Sequence, residues 1–336
     1  MDSAPIIALT MGDPAGIGPE VIVKAFQDDT LHLQSRTVVI GDARLLQATA
    51  KKYAPEILVH AIARPDQGWY QTCTIDVIDL KNVPENISIG KPSSQAGQAS
   101  YEAIKTAVDL ALNDEVSAIT TAPINKKSLH LAGYPFPGHT ELLAHLTNSK
   151  QAALMMAGNS LRVVLVTTHV PLEQVKPLIT EERVLNTIRL THEWLTRHVT
   201  DVPSIAVTGL NPHCGDGGIF GQEETDYIVP ALKIVQKEGI QASGPFSADA
   251  LFGRPDSQKY DAVVCMYHDQ ALIPIKALAF DRAVNVTLGL AFVRTSPDHG
   301  TALDIAGTGK ADENSLMAAL GMAASMAGYR ASVEAA

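Results

Sequence analysis

Cysteine is scarce in this sequence, and its arrangement excludes disulfide-stabilised small proteins. Three of the 336 residues are cysteines, Cys73, Cys214 and Cys265, and no two of them have the CxxC spacing. An odd number of cysteines without paired spacing argues against a disulfide framework and for a reducing compartment. We therefore expect a cytoplasmic protein.

Long apolar runs and clusters of basic residues are also missing. No apolar run approaches the roughly 18 residues of a membrane span, and the amino-terminal MDSAPIIALTMGD has an acidic residue where a signal peptide carries positive charge. The net charge is −10, and no lysine or arginine cluster supplies the basic surface that nucleic-acid binding requires. We expect neither a membrane nor a nucleic acid as partner, whereas a few cations in a cleft would suffice for an anionic small substrate.

The sequence does contain a regular alternation of strand-like and helix-like segments. Amphipathic helical stretches, such as residues 98–114 and 171–199, separate short β-branched runs. This order predicts mostly parallel strands with helical crossovers, and therefore an α/β/α architecture. The chain is too long for one simple core, so we expect two domains or one large interlocked unit. The predicted buried strands are PIIALT, TVVIGD, VSAITTAP, RVVLVTTH, SIAVTGL and YDAVVCMYH.

Three of the predicted strands lead directly to a histidine. RVVLVTTH ends in His169, SIAVTGLNPH in His213 and YDAVVCMYH in His268. The carboxyl ends of parallel strands lie along one edge of an open sheet, where ligands bind, so the three imidazoles are able to converge. Three imidazoles suit Zn²⁺, Co²⁺, Ni²⁺ or Fe²⁺ and leave coordination positions open for a substrate. Three independent core or loop histidines are the alternative, because the spacing is not a local metal motif.

No nucleotide-binding fingerprint accompanies these histidines. HCGDGGIFG is rich in glycine but does not satisfy GxGxxG, and no GxxxxGK[ST] occurs. TMGDPAGIGPE (10–20) follows the first predicted strand and precedes a helix-like segment. Its glycines serve either the close approach of a ligand or a tight strand-to-helix turn.

Four further polar residues have two interpretations each. His139 and Thr140 lie immediately ahead of a predicted helix, where Thr140 either caps the helix or helps to hold a phosphate. Asp249 and Asp269 are suited to orient an imidazole, accept a proton or bind a cofactor. Surface aspartates without any such role are commoner, and spacing alone does not choose between these interpretations.

Lys276, Asn285 and Arg294 follow His268 in the stretch IPIKALAFDRAVNVTLGLAFVRTS. Each lies at an edge of an apolar run, which is compatible with a side chain that extends to solvent. Two cations and an amide beside a metal would equally suit a phosphorylated carboxylic acid.

Taken together, these segments resemble the 4-hydroxythreonine-4-phosphate dehydrogenases of pyridoxal phosphate biosynthesis. The resemblance runs from about residue 5 to about residue 330, and it is the combination of motifs that is specific. The motifs are MGDPAGIGPE, GHTE, TTHVPL, NPHCGDGGIFGQEE, YHDQALIPIK and VNVTLGLAFVRTSPDHGTALDIAG. Family members commonly have NPHAGE where this chain has NPHCGD, and YHDQG where this chain has YHDQA, with Ala271 in place of the glycine. Neither difference falls on a residue that matches a metal ligand, so the differences bear on the exact substrate more than on the activity.

The resemblance implies an isocitrate/isopropylmalate-dehydrogenase-like α/β fold, with two α/β/α lobes, the active site in the cleft, and a homodimer. We expect residues 1–125 and 300–336 to form the lobe that contains both termini. Residues 126–299 would form the second lobe, which carries the metal-binding histidines and the dimer contacts.

The resemblance also implies the site. One divalent metal (Zn²⁺, Co²⁺ or Mg²⁺) would be bound in a site completed across the dimer, and NAD⁺ or NADP⁺ would bind without a GxGxxG turn. The residues that match the family's metal ligands are His169, His213 and His268. Those that match its substrate contacts are His139, Thr140, Lys276, Asn285 and Arg294. Our candidates for proton transfer are His139, Lys276 and Asp249, and those for cofactor contacts are Asp249 and Asp269.

The implied reaction is oxidation of the 3-hydroxyl of 4-phosphooxy-L-threonine, followed by decarboxylation. Three alternatives remain open. One is a related dehydrogenase acting on 4-phospho-threonate, 4-phospho-erythronate or a cis-dihydrodiol dicarboxylate. The second is a three-histidine metallohydrolase, although no general-base glutamate is spaced from a ligand pair as in HExxH. The third is a non-catalytic protein that binds a phosphorylated ligand.

Overall fold

The structure is a computed structural model that describes residues 4–158, 161–254, 259–279 and 282–334. Residues 1–3, which begin the segment considered above for a signal peptide, lie outside this description. The chain divides into two compact units, a first unit of Met1–Lys150 with Leu290–Ala336 and a second unit of Gln151–Gly289. None of the described helices has both the length and the hydropathy that crossing a bilayer requires.

Strands and helices alternate through the described residues, and all six predicted strands and the predicted helices are confirmed. The strands are β1 (Ile6–Thr10), β2 (Arg36–Gly41), β3 (Leu58–Ile62), β4 (Thr74–Asp79), β5 (Ala118–Thr121), β6 (Ala153–Gly158), β7 (Leu161–Leu165), β8 (Ser204–Thr208), β9 (Gln241–Phe246), β10 (Ala262–Cys265), β11 (Val284–Leu288) and β12 (Val293–Pro297). The α-helices are α1 (Gly18–Ala25), α2 (Leu31–Gln34), α3 (Ala43–Tyr53), α4 (Ser94–Leu112), α5 (Lys126–Leu131), α6 (His139–Leu146), α7 (Leu172–Leu178), α8 (Glu181–His198), α9 (Val229–Lys237), α10 (Ala248–Phe252), α11 (His268–Ala279) and α12 (Asn314–Glu334). Short 3₁₀ turns at Pro65–Gln67 and Pro212–Gly218 and a π-helical turn at Glu224–Ile228 are also present.

The first unit contains a parallel sheet with strand order β3-β4-β2-β1-β5-β12. Both faces of a parallel sheet need helical cover, and α4 supplies part of it. Ser93 caps α4 by accepting a hydrogen bond from the backbone N–H of Ala96. The helix then buries Ile104 and Val108 against Ile40 in one hydrophobic cluster. The parallel α/β organisation predicted from the sequence is therefore confirmed in this unit.

The second unit contains a mixed sheet with strand order β11-β6-β7-β10-β8-β9. The pairs β7-β10, β10-β8 and β8-β9 are parallel, and β11-β6 and β6-β7 are antiparallel. Only two residues separate β6 from β7, and a connection that short joins strands only in the antiparallel sense. The three strands that lead to the candidate histidines, β7, β10 and β8, are parallel neighbours.

The units divide at other positions than the sequence predicted. Residues 126–150 and 290–299, which we assigned to the second lobe, belong to the unit that contains both termini. Helix α6 buries Leu142 and Leu143 in the first unit's hydrophobic cluster, and β12 pairs with β5. The sequence could not show this, because both contacts join segments that are distant along the chain.

Candidate active site

The site begins at the shared edge of β7, β10 and β8. Val163 lies opposite Val263 in one parallel ladder, and Val263 lies opposite Ala206 in the next, so the carboxyl ends of the three strands face the same way. His169 follows β7 by four residues and His268 opens α11 just beyond β10. The topological argument that these strand ends share one edge is confirmed.

His169 and His268 lie close together at this edge. Their ring centroids are 5.5 Å apart. Metal–nitrogen bonds of about 2 Å allow two imidazoles on one ion a centroid separation of up to roughly 6 Å, so this pair fits a shared divalent cation. Nδ1 of His268 is 2.7 Å from Oδ1 of Asp269. A carboxylate at one ring nitrogen orients the imidazole and leaves Nε2 for a ligand.

His213 is exposed on a turn of unusual backbone conformation. The five residues from His213 to Gly217 all have φ between 43° and 80°, in the left-handed region. For a residue with a Cβ this conformation costs about 1–2 kcal/mol. Across the described parts of the chain, no three His, Cys, Asp or Glu side chains form a group able to hold a metal ion. The structure thus pairs two of the three histidines, and the three-histidine site stays a prediction.

Asp249 lies at the start of α10, near His213. Its carboxylate is exposed, and its pKa is lowered chiefly by a hydrogen bond from the Ser247 hydroxyl, with a smaller contribution from the charge of His213. Asp249 is therefore ionised at neutral pH. Asp269, the other carboxylate considered for the cofactor, is engaged with His268.

A second group of candidates lies in the first unit, around Arg294. Arg294 is on β12 with 1% of its surface exposed, and its Nη2 donates to Oγ1 of Thr121 at 2.6 Å. Burial lowers the pKa of Arg294 to about 9, so the guanidinium is still a cation at neutral pH. Burial, and then the charge of Arg294, hold the pKa of His139 well below its usual 6.5. The imidazole of His139 is therefore neutral, and its buried Nε2 has no hydrogen-bond partner within the described parts of the chain.

Thr140 does not cap a helix, contrary to one of our two interpretations. The helix α6 begins at His139, its N-cap residue is Gly138, and no side chain accepts a capping hydrogen bond there. Thr140 therefore lies in the first turn of α6. The interpretation of Thr140 as a phosphate contact stays a prediction.

The remaining substrate candidates, Lys276 and Asn285, lie in the second unit. Lys276 is on α11, eight residues after His268, and Asn285 is on β11 opposite Met156. Both side chains are half-buried. Their roles as substrate contacts stay a prediction.

Close packing of the chain accounts for the glycines of TMGDPAGIGPE. A Cβ on Gly12, whose φ is 75°, would lie 2.5 Å from the carbonyl oxygen of Pro123. A Cβ on Gly18 would lie 2.2 Å from the carbonyl oxygen of Met11. These contacts favour the tight strand-to-helix turn over a ligand-binding loop.

Two residues important to this geometry were missed by sequence reasoning. Gln270 and Glu224 both occur in motifs that we quoted, YHDQ and GQEE, but nothing in either motif indicates a contact partner. Gln270 hydrogen-bonds to the end of β8, and Glu224 is 4% exposed beneath the turn that carries His213. A glutamate that follows a glycine-rich turn was the available signal for a buried carboxylate.

The neutral state of His139 leads to a prediction about acid stability. In the unfolded chain His139 binds a proton below a pKa of about 6.5, whereas the folded protein keeps it neutral. Its contribution to stability is present above pH 6.5 and is lost as the pH falls. When the pH is lowered from about 7.5 to about 5.5, we expect the melting temperature of His139→Gln to fall less than that of the wild type. The control variant is His130→Gln, which replaces an exposed histidine of the same unit. Equal falls in melting temperature for the wild type and His139→Gln would contradict the assignment of a neutral His139 in the folded protein.

Comparisons of the sequence and of the structure with known proteins give matches that each cover most of the chain. A family model described as Pyridoxal phosphate biosynthetic protein PdxA matches residues 33–323. The 4-hydroxythreonine-4-phosphate dehydrogenase of Desulforapulum autotrophicum is 46% identical, over 96% of this chain and 96% of that protein. The D-threonate 4-phosphate dehydrogenase of Cupriavidus necator is 44% identical, over 98% of this chain and 99% of that protein. The crystal structure of 4-hydroxythreonine-4-phosphate dehydrogenase from Klebsiella pneumoniae aligns with a TM-score of 0.91 and 41% identity, covering 96% of this chain and 99% of that one.

Proposed function

This chain belongs to the pyridoxal phosphate biosynthetic protein PdxA family, and on that premise we propose that it oxidises 4-phosphooxy-L-threonine with NAD⁺ or NADP⁺. The hydride from the 3-carbon passes to the nicotinamide, and the hydroxyl proton passes to a base. The product, 2-amino-3-oxo-4-phosphooxybutanoate, is a β-keto acid that loses CO₂ to give 3-amino-2-oxopropyl phosphate. The observation that carries the proposal is the pairing of His169 with His268 at the strand edge, in a chain of this family.

Three histidines would hold the metal, and the donor set favours Zn²⁺ or Co²⁺ over Mg²⁺, which prefers oxygen ligands. His169 and His268 are already at a separation that one ion can bridge, and Asp269 orients His268. A bound divalent cation supplies Lewis-acid stabilisation of the alkoxide that forms when the substrate hydroxyl loses its proton.

The phosphate of the substrate would bind in the first unit. Arg294 supplies a buried positive charge next to His139, which is the first residue of α6. Helix amino termini and guanidinium groups both attract phosphate oxygens. Nε2 of the neutral His139, buried and without a partner among the residues that the structure describes, is suited to a hydrogen bond with the substrate. Thr140, in the same first turn, would add a hydroxyl.

The candidates for proton transfer differ in their suitability. A proton on the buried His139 would place a second positive charge beside Arg294, so hydrogen bonding is its better role. Asp249 is ionised and lies near His213. Lys276 is on the same helix as His268, where it would meet the substrate's reacting end. We therefore propose Lys276 or Asp249 as the group that receives the hydroxyl proton.

A related substrate is the second candidate, because the Cupriavidus necator relative is named for D-threonate 4-phosphate. The two substrates differ at carbon 2, where one has an amine and the other a hydroxyl. The test measures NAD⁺ and NADP⁺ reduction with 4-phosphooxy-L-threonine, 4-phospho-D-threonate, 4-phospho-D-erythronate and a cis-dihydrodiol dicarboxylate. We expect kcat/KM to be at least about tenfold higher with the first, a difference of about 1.4 kcal/mol. A higher kcat/KM with any other of these compounds would mean that this compound, and not 4-phosphooxy-L-threonine, is the substrate.

We also propose a homodimer that completes the metal site. A large, exposed apolar side chain follows each histidine within six residues: Leu172 is 74% exposed, Ile219 is 74% exposed and Ile273 is 68% exposed. Exposed apolar surface around a polar site is typical of a subunit interface. Light scattering is expected to give twice the 35.8 kDa chain mass, and a monomer that retains full activity would overturn this proposal.

A further inference from the structure

The turn that carries His213, residues 209–218, is held by side chains without an assigned part in the reaction. We propose that two of them, Gln270 and Glu224, are positioning residues that fix the place of His213 at the strand edge. This inference rests on the proposed function, because His213 enters it as a metal ligand. Neither residue is given a contact with substrate or cofactor.

Hydrogen bonds to the end of β10 hold the segment that leads to His169. Beyond the last ladder pair of β7 and β10, the N–H of Val166 donates to the carbonyl of Cys265 at 2.9 Å, and the N–H of Thr167 donates to the carbonyl of Met266 at 3.2 Å. This continuation brings His169 alongside β10 as far as the start of α11. These main-chain hydrogen bonds, together with one from the Thr167 hydroxyl to the carbonyl of Met266 at 2.7 Å, favour the close pairing of His169 with His268.

The backbone support of His213 comes from β9 and from the turn itself: the N–H of Gly209 donates to the carbonyl of Phe246 at 2.8 Å, and the N–H of Cys214 donates to the carbonyl of Asn211 at 3.1 Å. The ladder between β8 and β10 ends at Val207 opposite Val264, six residues before His213. The turn then passes through five left-handed residues, a conformation that residues with a Cβ adopt only where surrounding contacts impose it. Beyond the end of this ladder, contacts made by side chains join the turn to the end of β10 and to the π-helical turn.

Gln270 makes the first of these contacts, two residues after His268. Its Oε1 accepts from the Thr208 hydroxyl and from the N–H of Met266, both at 2.7 Å. Its Nε2 donates to the carbonyl of Gly209 at 2.7 Å. One amide thus joins the end of β8 to the end of β10 at the point where their ladder has stopped. Three of its four hydrogen-bonding positions are used in this bridge.

Glu224 makes the second contact, from the start of the π-helical turn. Its Oε1 accepts from the backbone N–H groups of Leu210 at 2.8 Å and Asn211 at 2.7 Å. Its Oε2 accepts from Nδ2 of Asn211 at 2.9 Å. The carboxylate lies so close beneath the turn that a Cβ on Gly215 would be 2.9 Å from Oε2. Hydrogen bonds to a buried carboxylate are strong, so Glu224 fixes the entry to the turn.

The test compares binding of Co²⁺ to the full-length protein in Gln270→Ala, Glu224→Ala and a matched control, Asp261→Ala. Asp261 lies at the opposite end of the same strands, where its Oδ2 accepts from the N–H of Ser204 at 2.8 Å and from the Ser204 hydroxyl at 3.0 Å. Affinity for Co²⁺ is measured by competition with a chelator. The visible absorption spectrum of bound Co²⁺ reports which ligands surround the ion, and the melting temperature of the metal-free protein reports folding.

We expect Gln270→Ala and Glu224→Ala to bind Co²⁺ about tenfold or more weakly, with an altered Co²⁺ spectrum. Asp261→Ala should melt at a similarly lowered temperature and bind Co²⁺ as the wild type does. If the alanine variants do not fold, the conservative pair decides. Glu224→Gln keeps the acceptor for both backbone N–H groups but loses the one for Nδ2 of Asn211, and should bind Co²⁺ more tightly than Glu224→Ala, whereas Gln270→Glu loses the donor to Gly209 and should bind weakly.

Three results would overturn the inference, and the first two separate it from the proposed function. Normal Co²⁺ binding in the Gln270 and Glu224 variants, with weak binding in His213→Ala, removes only the positioning role. Unchanged binding in His213→Ala removes the proposed metal site and the positioning role together. An equal loss of affinity in Asp261→Ala would assign the effect to general destabilisation.

Discussion

The largest effect is expected from His268→Ala, which should abolish NAD(P)⁺ reduction and weaken the binding of Zn²⁺ or Co²⁺. His268 shares the strand edge with His169, 5.5 Å away between ring centroids, and Asp269 orients its ring. Lewis-acid stabilisation of an alkoxide contributes several kcal/mol to the transition state. At 1.36 kcal/mol per tenfold, this predicts a fall in kcat of about a thousandfold or more. Steady-state kinetics and metal content after dialysis measure both effects.

The control for this variant is His192→Ala. His192 is on α8 in the same unit and takes no part in the candidate site. Its replacement should leave both kcat and metal content close to the wild-type values. Treatment of the wild type with a strong chelator should reproduce the loss seen in His268→Ala, and added Zn²⁺ or Co²⁺ should restore the rate only in the wild type. Full activity of His268→Ala, or of the chelated wild type, would show that the reaction needs no metal at this site.

The second large effect is expected from Arg294→Met, which keeps the volume of the side chain but removes its charge. Arg294 is 1% exposed and donates to Thr121 next to the neutral His139. Hydrogen bonds to charged groups contribute about 1.5–3 kcal/mol each, so losing the contacts of one guanidinium with a phosphate should lower kcat/KM by roughly a hundredfold or more. Most of the change should be in KM, because no bond of the phosphate forms or breaks in the oxidation.

A matched comparison separates phosphate binding from a loss of folding. The unphosphorylated substrate, 4-hydroxy-L-threonine, should react slowly with the wild type and be affected much less by Arg294→Met. Arg294→Lys keeps the charge without the planar fork and should recover part of the loss. Thr121→Val removes a hydroxyl that accepts a hydrogen bond from Arg294 and should lower kcat/KM less than Arg294→Met or Arg294→Lys does. Equal losses with both substrates would mean that Arg294 acts through the fold and does not contact the phosphate.

Local sequence patterns were sufficient for the secondary structure around the site. The β-branched runs before His169, His213 and His268 are strands, and parallel pairing places their carboxyl ends on one edge. This part was predictable because strand formation depends on neighbouring residues and parallel strands with crossovers have few arrangements. Thr140 was less predictable, because Ser and Thr ahead of an apolar run signal a cap, yet the helix begins one residue earlier at His139.

Several properties of the site could not be read from local patterns. Edge positions of apolar runs suggested that Arg294 reaches solvent, but β12 pairs with β5 and buries it beside His139. The low pKa of His139 follows from that burial and from the charge of Arg294, which is 155 positions away in the sequence. The packing of segments decides which residues that are far apart in the sequence come into contact. The local sequence around each residue does not indicate its partner.

From the order of its residues alone, the chain specified an α/β fold, the strands that lead to three histidines, and motifs of one dehydrogenase family. These follow from periodicities of two and 3.6 residues and from short contiguous motifs, which are local properties of a polypeptide. Folding was needed to place His169 within reach of His268, to bury the cation of Arg294, and to bring Gln270 to Gly209 across 61 positions. Hydrogen bonds and charges act over a few ångströms, so only the folded arrangement determines which groups meet.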